Sequence, residues 1–321
     1  MKYLVPISMD FTQQIAPRDG FGEGLVCLGK TNGDVVVLTG DLKESTRVEK
    51  FAENFPERFI EMGVAEQNMA GVAAGLALSG KIPFITSYAV FSPGRNWDQV
   101  RVSICYSKAN VKVVGAHAGI SVGPDGATHQ ALEDIAITRV LPNMTVVVPA
   151  DSIETKKATI ALAKHIGPSY IRFGREKTPV MTTDETPFVL GRATQILAGS
   201  DVTIIACGQM VAFALEAAQK LDGKLSVGVI NLHTIKPIDI KAIIEAAKES
   251  GAIVTAEEHQ IAGGLGGAVA EVLAESYPVP LERVGIKDTF GESGKPEELM
   301  EHYGLTTQHI IEAVERVIKR K

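Results

Sequence analysis

A carboxylate, Glu66, stands in a sequence context that packing alone does not require. It lies in the segment Met62–Asn68, a cluster of carboxylate and amide groups at the start of a helix predicted over Ala65–Ser79. A carboxylate held in such a place can share a proton with a bound group. An isolated glutamate in a first helical turn is also favoured by the helix dipole, and that simpler interpretation stays open. The predicted helix is small on every side, so we expect a neighbouring element to approach it closely.

Two histidine-containing loops come next, a dozen residues apart. His117 follows a predicted strand over Val111–Ala116, and His129 lies in Gly123–Gln130 together with Asp125. Ligands bind at the carboxyl ends of strands in open α/β sheets, which favours a binding or catalytic site here. The alternatives are a structural role for His117, an Asx-turn at Asp125 and a helix cap at His129.

Apolar runs alternate with helical segments along the whole chain. Continuous apolar strands separated by helices indicate parallel sheets covered on both faces. We therefore predict an α/β protein with two doubly wound open sheets flanked by helices: a first domain over residues 1–178, a linker over 179–191 and a second domain over 192–321. The predicted strands are Val35–Thr39, Ile82–Thr86, Val111–Ala116, Thr145–Pro149, Ser169–Phe173, Val202–Cys207, Val227–Asn231, Ile253–Glu257 and Leu281–Ile286.

The composition excludes several classes of protein. The formal net charge is −6 and no cluster of Lys and Arg is present, so we expect no nucleic-acid partner. The longest small-apolar run, Ala70–Leu78, is too short to span a bilayer, and we expect no membrane segment. The three cysteines are far apart and have no metal-ligand spacing. A reducing, cytoplasmic location fits this pattern, and no metal site is predicted within the chain.

Several of these segments together resemble transketolase and its relative deoxyxylulose phosphate synthase. The resemblance rests on Gly63–Gln67 with Glu66, on Asp125–Gln130 and on Arg139–Met144, while Phe290–Gly294 is more similar to transketolase. It covers essentially the whole chain, but only the second half of those enzymes. The fold it implies is a thiamine diphosphate-binding pyrimidine domain followed by a transketolase C-terminal domain.

The resemblance also implies a missing half. In the family, a Gly-Asp-Gly motif on another domain holds the diphosphate and its metal, and this sequence has no such motif. We therefore expect thiamine diphosphate as cofactor, with Mg²⁺ or Ca²⁺ held by an N-terminal partner subunit, and a self-dimer within an α2β2 assembly. The cluster Gly263–Gly267 is a weak phosphate-loop signal, and we interpret it as a tight turn into a helix.

The resemblance assigns roles to individual residues. Catalytic roles fall on Glu66, His129 and His117. Cofactor contacts fall on Glu66, Tyr88, Phe91 and Asp41, and contacts to sugar phosphates fall on Arg18, Ser45, His117, Asp125, His129 and Arg175. A third family aromatic falls at Gly94, and Trp97 is either its substitute or a core residue.

The favoured hypothesis is the C-terminal subunit of a split transketolase, which moves a two-carbon ketol unit between sugar phosphates. A split 1-deoxyxylulose-5-phosphate synthase and the β subunit of a 2-oxoacid dehydrogenase are the enzyme alternatives. Thr128–Gln130 and Arg175 favour a phosphorylated sugar over a 2-oxoacid. A non-catalytic scaffold subunit is the non-enzyme alternative, and the presence of Glu66 and both loop histidines weighs against it.

Overall fold

Short buried strands form the frame of the molecule in the computed structural model, which describes residues 2–321. Six of the fourteen strands are buried at every residue, as expected for strands covered on both faces. In chain order the strands are β1 Gln14–Ile15, β2 Val35–Thr39, β3 Phe59–Glu61, β4 Ile82–Tyr88, β5 Lys112–Ala116, β6 Thr145–Val147, β7 Ser169–Arg172, β8 Thr178–Pro179, β9 Thr194–Leu197, β10 Val202–Ala206, β11 Val227–Asn231, β12 Thr234–Lys236, β13 Ile253–Gln260 and β14 Leu281–Ile286.

Two sheets contain twelve of these strands, while β1 and β8 form a separate two-stranded antiparallel sheet. The first has seven strands in the order β12-β6-β7-β5-β4-β2-β3, and all its neighbours are parallel except β12 against β6. The second has five strands in the order β14-β13-β10-β11-β9, with only β9 antiparallel. The predicted α/β fold with two open sheets is confirmed.

Helices cover both sheets. They are α1 Pro17–Thr31, α2 Glu49–Asn54, α3 Glu66–Leu78, α4 Trp97–Gln99, α5 Asp134–Arg139, α6 Ser152–Lys164, α7 Met210–Leu221, α8 Ile240–Ser250, α9 Leu265–Ser276, α10 Pro296–His302 and α11 Thr307–Ile318. The Asp151 side chain accepts from the Glu154 N–H and begins α6, and Asp239 begins α8 in the same way. The helix α9 starts directly after Gly264, which confirms the predicted turn. No helix within residues 2–321 is both long and apolar enough to cross a membrane.

The two halves share structure across the predicted boundary. The strand β12, from the second half of the chain, pairs with β6 at the edge of the first sheet. Residues Tyr3, Val5, Ile7, Met9 and Phe11 pack against the core of the second sheet. The Arg139 guanidinium forms a bidentate ion pair with Glu271, which links α5 to α9. The predicted domain limits stay a prediction, and these contacts cross them.

Candidate functional site

The sequence-predicted site residues lie along one edge of the first sheet. Parallel strands present their carboxyl ends on the same side, and the strands β7, β5, β4, β2 and β3 are consecutive neighbours. His117 follows β5, Tyr88 ends β4, and Glu66 follows β3 at the start of α3. The topology therefore brings together side chains that are far apart in the sequence.

Four rings meet at this edge. The ring centroids of Tyr88 and His117 are 4.1 Å apart, and those of Phe91 and His129 are 5.4 Å apart with nearly perpendicular planes. Tyr88 and Phe91 are near-parallel, with an interplanar angle of 18° and centroids 6.2 Å apart. A wall of this kind suits a flat aromatic ligand.

Glu66 is buried beside the rings, with only 1% of its side chain exposed. Its Oε2 accepts from Arg95 Nη1 at 2.8 Å, and its Oε1 accepts from the Ser87 hydroxyl at 3.4 Å. The buried Asn96 amide donates to the Glu66 carbonyl and thereby ties the start of α3 to the loop after β4. These contacts hold the Glu66 side chain in place beside the four rings.

A basic group lies on the other side of His117. Arg18 Nη1 is 3.4 Å from His117 Nε2 and donates to the Ser45 carbonyl at 3.1 Å. Burial, with the nearby charges of Arg18 and Arg175, lowers the pKa of His117 to about 3. The imidazole is therefore neutral at physiological pH. Arg18 Nε is buried without a hydrogen-bond partner within residues 2–321, as expected of a donor that awaits an anion.

The remaining predicted residues are placed at the rim. Arg175 donates to the Val122 carbonyl at 3.1 Å and lies 4.0 Å from Asp125 Oδ1. The Gly123–Gly126 turn is closed by its own backbone, so the Asp125 carboxylate is not required to close it. His129 contacts the Thr128 hydroxyl rather than capping a helix. Asp41 is exposed, and its backbone N–H donates to Glu61 Oε1 at 2.8 Å.

The second domain holds the histidine-containing loops. Glu258 Oε1 accepts from the Ser121 N–H at 2.6 Å, and Gln130 Nε2 donates to the Glu292 carbonyl at 3.0 Å. A Cβ at Gly291 would lie 1.9 Å from Gln130 Oε1, so only glycine allows this approach. The loop geometry therefore depends on both domains.

Comparisons with known proteins agree with this arrangement. The family model for the transketolase pyrimidine binding domain matches residues 13–181, and the model for the transketolase C-terminal domain matches residues 191–310. The chain belongs to the transketolase family. A 6-deoxy-6-sulfo-D-fructose transketolase subunit of Clostridium sp. (strain MSTE9) is 44% identical over 95% of each chain.

Two further comparisons bear on the length of the chain. It is 40% identical to transketolase-like protein 2 of Mus musculus over 95% of its own length, but over only 49% of that protein. It superposes on a split gene transketolase, described as an inactive β4 tetramer, with a TM-score of 0.90 and 49% identity. That match covers 96% of this chain and 99% of the other. The chain therefore matches a split subunit over its full length and a longer family member over about half.

The aromatic wall differs from the sequence-based expectation at one point. A Cβ at Gly94 would lie 2.0 Å from the Val90 carbonyl oxygen, so the backbone leaves no room for a third aromatic there. Trp97 does not replace it, because its indole N–H donates to the Ile137 carbonyl and its ring packs in the core. The side chain that does lie on Phe91 is Arg95, with its Cζ 4.5 Å from the ring centroid.

Sequence analysis missed Arg95. It is the single cation in Thr86–Trp97 and follows Phe91 by four residues, a spacing that brings two side chains together only if the segment turns like a helix. The Ser92 and Arg95 amides each donate to the carbonyl four residues earlier, so the segment does turn like a helix. The spacing was the available signal, but the turn could not be predicted from it.

The residues present fit one end of thiamine diphosphate. A buried carboxylate beside stacked rings suits a flat, nitrogen-containing ring that shares a proton with Glu66. For the metal, no group of three or more His, Cys, Asp or Glu side chains within residues 2–321 could hold an ion. The lining therefore combines a buried carboxylate, stacked rings and nearby guanidinium groups.

Proposed function

We propose that the chain is the C-terminal subunit of a two-component transketolase, which transfers a two-carbon ketol unit between sugar phosphates with thiamine diphosphate. The observation that carries the proposal is the meeting of three groups at one sheet edge: the buried Glu66, the Tyr88–Phe91 pair and the Arg18–His117 pair. When bound, the cofactor supplies the carbon nucleophile and the electron sink for the transfer.

In this proposal, Glu66 holds a proton at the ring nitrogen of the aminopyrimidine. Its burial removes water that would compete for this hydrogen bond, and Ser87 and Asn96 fix its position. Tyr88 and Phe91 orient the ring by stacking. This chain therefore contributes the activating end of the cofactor site.

The terminal phosphate of the sugar is bound, in this proposal, by Arg18, Arg175 and His117. Guanidinium groups suit phosphate because they donate two parallel hydrogen bonds. Asp125 lies 4.0 Å from Arg175 and His129 packs edge-on against Phe91, and both would contact sugar hydroxyls. The neutral His117 adds a hydrogen-bond donor without adding charge.

A partner subunit completes the site in this proposal. The helix α3, which begins with Glu66, leaves Gly71 and Gly75 facing open space, since a Cβ at either would meet nothing within 4 Å. The expected close neighbour lies on the other face of α3, where Met69, Ala70, Ala73 and Ala74 are buried in the core. Large apolar side chains are exposed on α3, the loop before it and the helical turn that packs beside it: Val64, Val72, Leu78, Val102 and Tyr106.

We assign this face, continuous with Glu66, to the N-terminal subunit that carries the diphosphate and Mg²⁺ or Ca²⁺ site. A self-dimer of the chain within an α2β2 assembly belongs to the same proposal. The split gene transketolase with the same fold supports the need for a partner, since its β4 tetramer is described as inactive.

Calorimetry on the chain with and without an N-terminal transketolase subunit tests the proposal. The chain alone should bind thiamine diphosphate weakly and turn over no sugar phosphate, because it offers only the pyrimidine contacts. The pair should bind the cofactor tightly in the presence of Mg²⁺ and transfer ketol units. Tight Mg²⁺-dependent binding by the chain alone, or decarboxylation of 2-oxoacids by the pair, would refute it.

A further inference from the structure

Arg95 makes two contacts that define the cofactor side of the site. Its Nη1 donates to Glu66 Oε2 at 2.8 Å, and its guanidinium carbon lies 4.5 Å from the centre of the Phe91 ring. The same planar group thus satisfies the buried carboxylate and covers the aromatic face. Its side chain is 46% exposed, so it reaches this position from the solvent side.

These contacts are the two that the proposed function requires of the aminopyrimidine. That ring has to hydrogen-bond the Glu66 carboxylate and stack on Phe91, and a guanidinium is likewise flat, nitrogen-rich and a donor. We propose that Arg95 is a placeholder of the cofactor site, whose guanidinium occupies Glu66 and Phe91 until the pyrimidine displaces it. The inference rests on the proposed function and adds to it a residue that competes with the cofactor.

The burial of Glu66 explains why a placeholder is useful. Only 1% of the Glu66 side chain is exposed, and an ionised carboxylate left unpaired in such a place is destabilising. Ser87 alone offers it a hydrogen bond of 3.4 Å. Arg95 keeps the carboxylate paired before cofactor binding, and its exposed side chain leaves without rearrangement of the core.

The position of Gly94 supports the same conclusion. The backbone at Gly94 excludes a side chain, so no aromatic residue stands between Arg95 and the Phe91 face. Trp97, the single tryptophan of the chain, lies two residues from Arg95 and is engaged with Ile137. It is therefore a fluorescence reporter beside the placeholder that does not itself take part in the exchange.

The inference is tested by titrating the two-subunit assembly with thiamine diphosphate at fixed Mg²⁺. Binding is followed by the fluorescence of Trp97, and the tryptophans of the partner subunit are replaced so that they do not contribute. Removal of a competing group raises the apparent affinity, so Arg95→Ala should bind the cofactor about tenfold more tightly than wild type. Arg95→Gln, which keeps a donor but loses the charge, should fall between the two. Arg192→Ala, at an exposed arginine outside the face assigned to the partner, should bind as wild type does.

Melting curves distinguish the placeholder from a merely structural residue. Arg95→Ala should lower the melting temperature of the cofactor-free chain and enlarge the rise that cofactor binding produces in the assembly. Unchanged or weaker binding by both Arg95→Ala and Arg95→Gln, in an assembly whose wild type binds the cofactor, would overturn the placeholder alone. Absence of binding by the wild-type assembly would instead remove the proposed function and this inference with it.

Discussion

Arg18 donates to Nε2 of His117 across 3.4 Å, and this contact assigns the tautomer of the imidazole. A guanidinium has no acceptor atom, so Nε2 must be the acceptor and the proton of the neutral ring is on Nδ1. Nδ1 is buried and has no hydrogen-bond partner within residues 2–321. The site therefore holds an unpaired donor, which the proposed substrate contact of His117 would satisfy.

Arg18→Ala and Arg175→Ala should weaken the use of phosphorylated substrates. A charge-assisted hydrogen bond contributes about 1.5–3 kcal/mol, so each change should lower kcat/KM by about one to two decades. Arg18→Ala should have the larger effect, because it also releases Nε2 of His117. Steady-state kinetics with matched phosphorylated and non-phosphorylated ketols measures this, and equal losses for both substrates would indicate a structural role instead.

Glu66→Gln should leave assembly intact and suppress activation of the cofactor. The amide keeps a hydrogen bond to the ring but cannot exchange a proton with it. Deuterium exchange at C2 of the thiazolium, followed by NMR in the two-subunit assembly, measures this step without substrate. An exchange rate equal to that of wild type would mean that another residue activates the cofactor.

Asp125→Ala should reduce the preference for 2-hydroxyaldehyde acceptors over their deoxy analogues. A carboxylate that pairs with a substrate hydroxyl is left unpaired by an analogue without one, which is the source of the discrimination. Because the Gly123–Gly126 turn is closed by backbone, the melting temperature should change little. Paired acceptor kinetics with a melting curve decides, and a uniform loss with lower stability would contradict the assignment.

Substitutions at Gly75 should have opposite effects on the isolated chain and on its assembly. Glycine inside a helix costs about 1 kcal/mol relative to alanine, and a Cβ at Gly75 meets nothing within 4 Å, so Gly75→Ala should make the isolated chain more stable. Gly75→Leu should weaken association with the N-terminal subunit, because the partner backbone can no longer approach. Denaturation and analytical ultracentrifugation test the two parts, and Gly33→Ala, in a loop with equally open surroundings, is the control.

His233 should make the chain less stable in mild acid. Burial lowers the pKa of His233 from 6.5 to about 4, so between these values the unfolded chain binds the proton and the native chain does not. Its stabilising contribution is complete above pH 6.5 and is lost as the pH falls towards 4, which amounts to about 2 kcal/mol by pH 5. Urea denaturation at pH 7.5 and pH 5.0 measures this.

His233→Phe and His233→Asn both remove the titrating group and should lose the same part of the pH dependence. The phenylalanine variant retains the stack on Phe188, whose centroid is 4.3 Å from the His233 ring, while the asparagine variant does not. A slope unchanged in both variants would assign the acid sensitivity to other groups.

The sequence alone predicts the bounds of those elements whose apolar residues follow one another along the chain. The strands Val35–Thr39 and Val227–Asn231 have the predicted bounds, because burial on both faces gives a mostly apolar run. The helix α1 was not predicted, because its several glycines are more typical of a loop than of a helix. A Cβ at Gly20 would lie 1.9 Å from the Ser152 carbonyl oxygen, so the tertiary packing against α6 selects residues that disfavour a helix.

The candidate site likewise has parts that could be predicted from the sequence and parts that could not. The loops at strand ends could be predicted because parallel topology places them together. The contact of Arg95 with Glu66 could not, because it depends on the turn after Phe91. The hydrogen bond from Ser121 to Glu258 joins residues 137 positions apart, and nothing in either segment indicates the other.

The pairing of β12 with β6 has a consequence for synthesis on the ribosome. When Thr145–Val147 emerges, its outer edge has no partner, and Thr234–Lys236 has yet to be translated. Elongation at about 5–20 residues per second leaves that edge open for several seconds. An unpaired edge strand is a template for association with another chain. The nascent first domain is therefore most exposed to misassembly in this interval, and a ribosome pause between the two segments should lower the yield of folded protein.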